Sequence, residues 1–162
     1  MTMLMGRRGI LTGLAATPLG VVGATARAQG RLPLLTVWRD PNCGCCGAWI
    51  AHMRAAGFPV QDNIVPSPAP ARRMLGIPAD LLSCHAAQVG GFALEGHVPA
   101  AAVQRLLAER PAGVRGLAVP GMPTGSPGME VPGQTPDTYD VIAFDRGRGR
   151  STFMRFRGGD PV

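Results

Sequence analysis

Three thiols fall within four residues in the stretch Asp40-Pro41-Asn42-Cys43-Gly44-Cys45-Cys46-Gly47, and the fourth and last cysteine, Cys84, is followed at once by His85. Cys43 and Cys46 spell C-x-x-C, the spacing of a redox dithiol. Where such a pair opens a helix, unpaired backbone N–H groups and the helix dipole favour a thiolate. Cys43 and Cys46 are therefore the redox candidates of a thiol–disulfide oxidoreductase. Cys45 argues differently, because a third thiol inside the motif serves no simple dithiol and can scramble its mixed disulfide. Clustered thiolates suit a soft ion: sulfur selects Cu(I), zinc or iron–sulfur centres, and neighbouring sulfurs can bridge more than one copper. Cys84 and His85 complete such a cluster if the fold returns them to the helix start. A structural zinc site usually takes two separated ligand pairs, a poorer match. Four cysteines also fit an iron–sulfur centre by count. The spacing leaves copper, a redox dithiol, zinc and iron–sulfur open, in that order.

Other donors extend the set. His52 lies six residues beyond Cys46, roughly 9–10 Å along a helix at 1.5 Å per residue, so it reads as a surface or core histidine. His97 precedes a predicted helix by two residues and either caps that turn or reaches the site. Met122 and Met129 carry thioethers, soft donors for Cu(I), although methionine is more often core filler.

The elements that must position these residues alternate. Leu34–Trp38 reads as a buried strand ended by Asp40-Pro41. The run from Ala48 to Ala56 has no helix breaker, and Cys46, Trp49 or Ile50, Met53 and Ala56 define one apolar face. Gly57 suits the position after a helix end, and Pro59–Val65 reads as a second strand. Short helical turns follow at Ala69–Leu75 and Pro78–Leu82. Val89–Leu94 is strand-like, Pro99 opens a helix over Ala100–Glu109, and Val114–Val119 is a further strand. Tyr139–Phe144 and Ser151–Phe156 predict a closing hairpin. Between these lies Pro120–Pro136, with five prolines and four glycines; irregular loops of this length are usually functional or disordered. The alternation predicts an α/β domain with one central mixed sheet and flanking helices.

The N-terminus reads as an export signal: Arg7-Arg8, an apolar run from Ile10 to Ala24, and small residues at Ala24, Ala26 and Ala28. Arg7-Arg8 also fits a loose twin-arginine signal. Residues 1–28 are read as a signal peptide cleaved near Ala28 and residues 29–162 as one domain, with no stable membrane anchor, because the run is too short and interrupted to span a bilayer. Without Arg7, Arg8 and Arg27, thirteen arginines face ten acids, so the formal charge of +6 is partly a targeting feature. Every basic side chain is arginine, and no basic stripe with interleaved aromatics points to nucleic acid. An exported chain with four cysteines admits disulfides, but three neighbouring thiols cannot staple distant segments.

Four motifs in order, DPNCGCCGAW, LLSCHAAQVGGFALEGHVPAAAVQRLLAERP, GLAVPGMPTGSPGME and YDVIAFD, give the chain a resemblance to the CopG-type periplasmic copper-resistance proteins, domain-of-unknown-function family 411. The match runs from about Leu34 to Phe156; only the connector Pro66–Pro70 is unusually proline-rich. The resemblance implies a thioredoxin-like fold, a periplasmic location and thiolate binding of copper. By motif, Cys43, Cys45, Cys46 and Cys84 match the family's cysteines, and His85, His97, Met122 and Met129 match accompanying positions. The function so implied is copper tolerance: Cu(I), as several ions where sulfurs bridge, held by the thiolate cluster under the Pro120–Pro136 loop as a lid. Sequestration, delivery to a periplasmic copper chaperone or efflux component, and interconversion of Cu(I) and Cu(II) all fit.

Overall fold

The computed structural model describes residues 31–162; the predicted signal peptide and its cleavage point lie outside the described residues. Strand β1 (Leu35–Arg39) buries Leu35 and Val37 completely. Helix α1 (Gly44–Ala55) follows after a short turn and begins four residues earlier than its helix-forming residues predict. Its buried face is Cys46, Trp49, Ile50 and Met53; burial of each large side chain contributes about 1.5–3 kcal/mol. Gly57, at φ +92°, ends the helix: its N–H donates to the Arg54 carbonyl and the Phe58 N–H to that of Met53. This pairing satisfies the last-turn carbonyls and needs a left-handed residue. Strand β2 (Val60–Ile64) then returns parallel to β1.

Helix α2 (Ala69–Leu75) closes on Gly76, and a 3-10 turn at Ala79–Leu81 leads into β3 (His85–Val89). The segment read as one strand, Val89–Leu94, is instead the corner of a hairpin between β3 and β4 (Phe92–Glu95). Gly90 and Gly91 stand at φ +55° and +90°, the two successive positive values a tight two-residue hairpin demands. Helix α3 (Ala100–Glu109) follows, then β5 (Gly116–Ala118), β6 (Thr138–Phe144), β7 (Arg150–Arg157) and the two-residue β8 (Asp160–Pro161). The predicted closing hairpin is β6 and β7.

The eight strands form one mixed sheet in the order β2-β1-β3-β4-β5-β6-β7-β8, parallel at β1/β2 and β4/β5 and antiparallel elsewhere. Successive strand residues face opposite sides. Leu35, Val37, Ala87, Val89 and Leu94 join the cores of α1 and α3, whereas Ala86, Ala93 and Ala118 pack with Ala71 and Leu75 of α2. The fold is therefore α/β, with helices on both faces, and its first seven elements are compatible with a thioredoxin-like arrangement. No helix among the described residues is long and apolar enough to cross a membrane.

Candidate metal centre

The register of the sheet brings the chemistry to one end. Arg39, the last residue of β1, pairs with His85, the first of antiparallel β3. The turn leaving β1 ends on Cys43, the first turn of α1 carries Cys45 and Cys46, and Cys84 immediately precedes His85. Strands β4 and β5 run parallel and end at the same level, so His97 and the Pro120–Pro136 loop emerge there too.

Cys43 is the N-cap of α1, and its N–H donates to the Asp40 carbonyl. Cys43 and Cys46 are joined by a disulfide with their Cα atoms 5.5 Å apart; the bond is local and staples no distant segments. Cys45 and Cys84 are free, and the Cys45 sulfur lies 3.6 Å from that of Cys43. The sulfurs of Cys43, Cys45, Cys46 and Cys84 all lie within 4.8 Å of one another. Cys46 is fully buried, while the other three are half-buried.

A second donor set shares Cys84: its sulfur and one nitrogen each from His85 and His97 lie within 4.8 Å of one another. Both histidines are completely buried. His97 Nδ1 is 2.8 Å from the Pro127 carbonyl, which can only accept, so Nδ1 carries the proton and donates. The Nε2 lone pair is thereby aimed at the Cys84 sulfur, 3.1 Å away, the arrangement in which a partner on one ring nitrogen orients the other for a metal. His97 thus reaches the cluster and leaves the cap of α3 to another residue. That residue is His52, whose Nε2 accepts the Ala100 N–H at 3.1 Å. His85 places Nδ1 3.3 Å from the Cys84 sulfur, while its Nε2 has no hydrogen-bond partner. Its ring packs 4.2 Å from Trp49, whose indole N–H donates to the Val98 carbonyl.

Burial sets the protonation states. The Cys84 thiol is pushed up to about 12, first by desolvation and next by Cys45. His85 is driven well below its usual value by desolvation, with His97, Arg72 and Arg39 adding to it. Desolvation also lowers His97, against the opposing pull of the Pro127 carbonyl and Glu130. Both imidazoles are therefore neutral at pH 7, as metal ligands must be.

One group of positioning residues leaves no trace in the sequence. Arg72 of α2 grips the fully buried Glu95 carboxylate from Nε and Nη2 at 2.7–3.1 Å, and its Nη2 also donates to the Ser83 carbonyl at 2.7 Å. The Ser83 N–H donates to Glu95 Oε1 at 2.7 Å, and the Ser83 hydroxyl donates to the Gly121 carbonyl. Both backbone groups of the residue before Cys84 are thus held by one buried ion pair. Desolvation raises the Glu95 pKa even so, with Arg72 and the Ser83 N–H pulling the other way.

The loop closes one side of the cluster. Gly125, Ser126 and Pro127 are buried. A Cβ on Gly128 would stand 2.6 Å from the Trp49 backbone nitrogen and 3.0 Å from the Cys45 carbonyl oxygen, so glycine alone allows this approach to the helix start. Met129 is half-buried beside Gly128, and Met122 is 54% exposed.

Comparison with known proteins agrees with this geometry. Residues 81–129 match the family described as "Protein of unknown function, DUF411". No curated protein matches the sequence. Two solved structures described as copper resistance protein copG, form 1 and form 2, are each 40% identical to the chain. Form 1 superposes with a TM-score of 0.72 over 78% of this chain and 99% of that one; form 2 gives 0.71 over 77% and 98%. Identity at that level over nearly the whole of the related chain makes this protein a member of the copG-type copper-resistance family.

Proposed function

We propose that the protein binds Cu(I) in an exported compartment, the periplasm, and serves copper tolerance. The observation that carries this reading is the convergence of Cys43, Cys45, Cys46 and Cys84 within 4.8 Å. Four soft sulfurs joined by an imidazole lone pair suit Cu(I), and they can bridge several ions. In the oxidised form described above two sulfurs are tied up, so full loading needs the Cys43–Cys46 bond reduced. His97 and His85 supply nitrogen donors beside the sulfurs, and Met122 and Met129 offer thioethers on the covering loop. A copper chaperone or efflux component is the partner to which such a cargo passes. Zinc is the less suitable ion for so crowded a sulfur set.

The test is a titration of the reduced protein with Cu(I), without oxygen and against a calibrated chelator. The expected result is uptake of one equivalent or more, with copper–sulfur distances in the K-edge absorption spectrum. Tighter binding of zinc than of Cu(I) overturns the reading.

The disulfide supports a second reading, a thiol–disulfide oxidoreductase acting through Cys43 and Cys46. Its mark is reduction of a disulfide substrate by metal-free protein.

A further inference from the structure

Strands β5 and β6 meet with Gly116 opposite Phe144, at the end of the sheet away from the cysteines. There Arg115, Arg146 of the β6–β7 turn and Arg73 of α2 line a hollow of about 240 Å³ with Met74 and Gly76. A second hollow, of about 480 Å³, continues past Arg115 and Arg146 to Gly113, Val114, Asp145 and Gly147. Among the described residues, none of Arg73, Arg115 and Arg146 pairs with a carboxylate. Arg115 makes one long contact, 3.5 Å to the Gly91 carbonyl. Asp145 is engaged by its own turn, accepting the N–H groups of Gly147 at 2.7 Å and Gly149 at 3.1 Å. A Cβ on Gly149 would collide with that carboxylate. The alternation Arg146-Gly147-Arg148-Gly149 thus keeps the turn closed on Asp145 while both arginines stay exposed. Arg150, at the foot of the turn, reaches Asp80 at 3.2 Å. This end therefore carries five arginines against two aspartates, whereas the other eight arginines of residues 31–162 are matched by eight acids. The domain's net positive charge is gathered here.

We propose that the hollow lined by Arg73, Arg115 and Arg146 binds a phosphate group, carried by an anionic lipid headgroup or by free phosphate. Like charges gathered without a counter-charge repel one another, and a bound anion relieves that repulsion. Each guanidinium presents its N–H donors as a planar fork. One fork uses up the two oxygens of a carboxylate, whereas the oxygens of a phosphate group can meet several forks at once. No aromatic side chain lines either hollow, so the bases of a single-stranded nucleic acid find no platform to stack on. The site lies at the opposite end of the sheet from the cysteines. A headgroup held there leaves the metal centre facing away from the lipid surface, and anion and metal ion bind without competing.

The experiment uses metal-free protein at low ionic strength, where screening is weakest, and two probes. Inorganic phosphate is titrated while the arginine Nε–H signals are followed by nuclear magnetic resonance. Sedimentation with phosphatidylglycerol vesicles, against phosphatidylcholine vesicles, supplies the second arm. The expected result is a saturable shift of the Arg73, Arg115 and Arg146 signals with phosphate, reversed by added salt. Retention on phosphatidylglycerol alone, with release by phosphate, identifies a headgroup as the source; phosphate binding without retention identifies free phosphate. Arg115→Gln combined with Arg146→Gln is expected to weaken binding of the effective probe more than about tenfold, since each arginine beside an anionic surface contributes several-fold. Arg54→Gln combined with Arg157→Gln removes the same charge outside both hollows and is expected to change binding less than about threefold. Binding of neither probe, or an equal loss in the two double variants, overturns the proposal.

Discussion

The two walls of the cluster are built on opposite principles. The helix wall, Cys43, Cys45 and Cys46, stands on the first turn of α1, where no side chain caps the helix and two of the three thiols are half-buried. The strand wall, Cys84, His85 and His97, is fixed from behind by the Arg72–Glu95 pair, from the side by Trp49 and from above by the Pro127 carbonyl. One wall holds two of its sulfurs in a bond to each other. The other keeps its donors neutral and aimed. A site that must accept an ion and then retain it needs both; the donors gather beside α1 at one end of the sheet, and the clamp that fixes the strand wall reaches them from α2 on the opposite face.

The contrast breaks most severely at the clamp. Arg72→Met leaves the Glu95 carboxylate buried without its partner, which costs about 3–5 kcal/mol; urea denaturation of the metal-free protein measures it. Adding Glu95→Gln is expected to recover part of that loss, and no recovery means the pair is not what holds Ser83. Next comes the helix wall. Cys45→Ser is expected to weaken Cu(I) more than about a hundredfold, beyond the 10–100-fold typical of groups that only support a ligand. An unchanged affinity in a chelator competition shows that Cys45 is a bystander. Gly128→Ala tests the loop between the walls. It places a Cβ at φ +88° and against the Trp49 backbone nitrogen, so a loss of about 1–2 kcal/mol is expected from the left-handed backbone alone, read from the same denaturation curves.

The smallest effect lies just outside the cluster. His52→Ala removes the side-chain acceptor of the Ala100 N–H, worth about 1 kcal/mol for a helix cap. Burial lowers the His52 pKa below 6.5, opposed by Glu130. The native protein therefore takes this proton less readily than the unfolded chain. Stability is full above about pH 6.5 and falls as acid is added, with His85 and His97 acting in the same direction. The variant is expected to show a shallower decline between neutral pH and pH 5, and an identical slope removes His52 from the account.

What the sequence disclosed followed from locality. The strand–helix–strand start, α2, α3 and the β6–β7 hairpin are announced by apolar periodicity and by Gly57, Pro99 and Pro111. The Cys43–Cys46 cluster is legible because its members are chain neighbours. Helix α1 was hidden at its start, because glycine and cysteine are weak helix formers and tertiary packing of Cys46 overrides them. The hairpin was masked because His85-Ala86-Ala87-Gln88 lacks strand formers; the Gly90-Gly91 pair was the signal that could have found it. Histidine roles exchanged for a similar reason: His97 is nearer α3 in sequence, but His52 meets its first N–H in space. Nothing in the chain announces Arg72 with Glu95, 23 residues apart, since only the finished sheet brings α2 to the end of β4.

The covering loop is tied to itself as well as to the segment before Cys84 and to His97. Thr124 and Asp137 exchange backbone and side-chain hydrogen bonds, and Pro123–Met129 is knotted by the contacts of Gly125 with Met129, Ser126 with Pro123 and Met129 with Ser126. Glu130 accepts the Gly128 N–H at 2.9 Å and Pro136 packs on Gly125, but the stretch between them, Val131 to Thr135, is exposed throughout. The loop is thus divided into an inner turn that meets the cluster and an outer arc that does not. Chain added to the arc costs only about 0.6 kcal/mol per doubling of its length, and the inner turn does not feel it. Relatives can therefore lengthen or rewrite this arc, and engineers can graft a reporter there, without disturbing how the cluster is roofed.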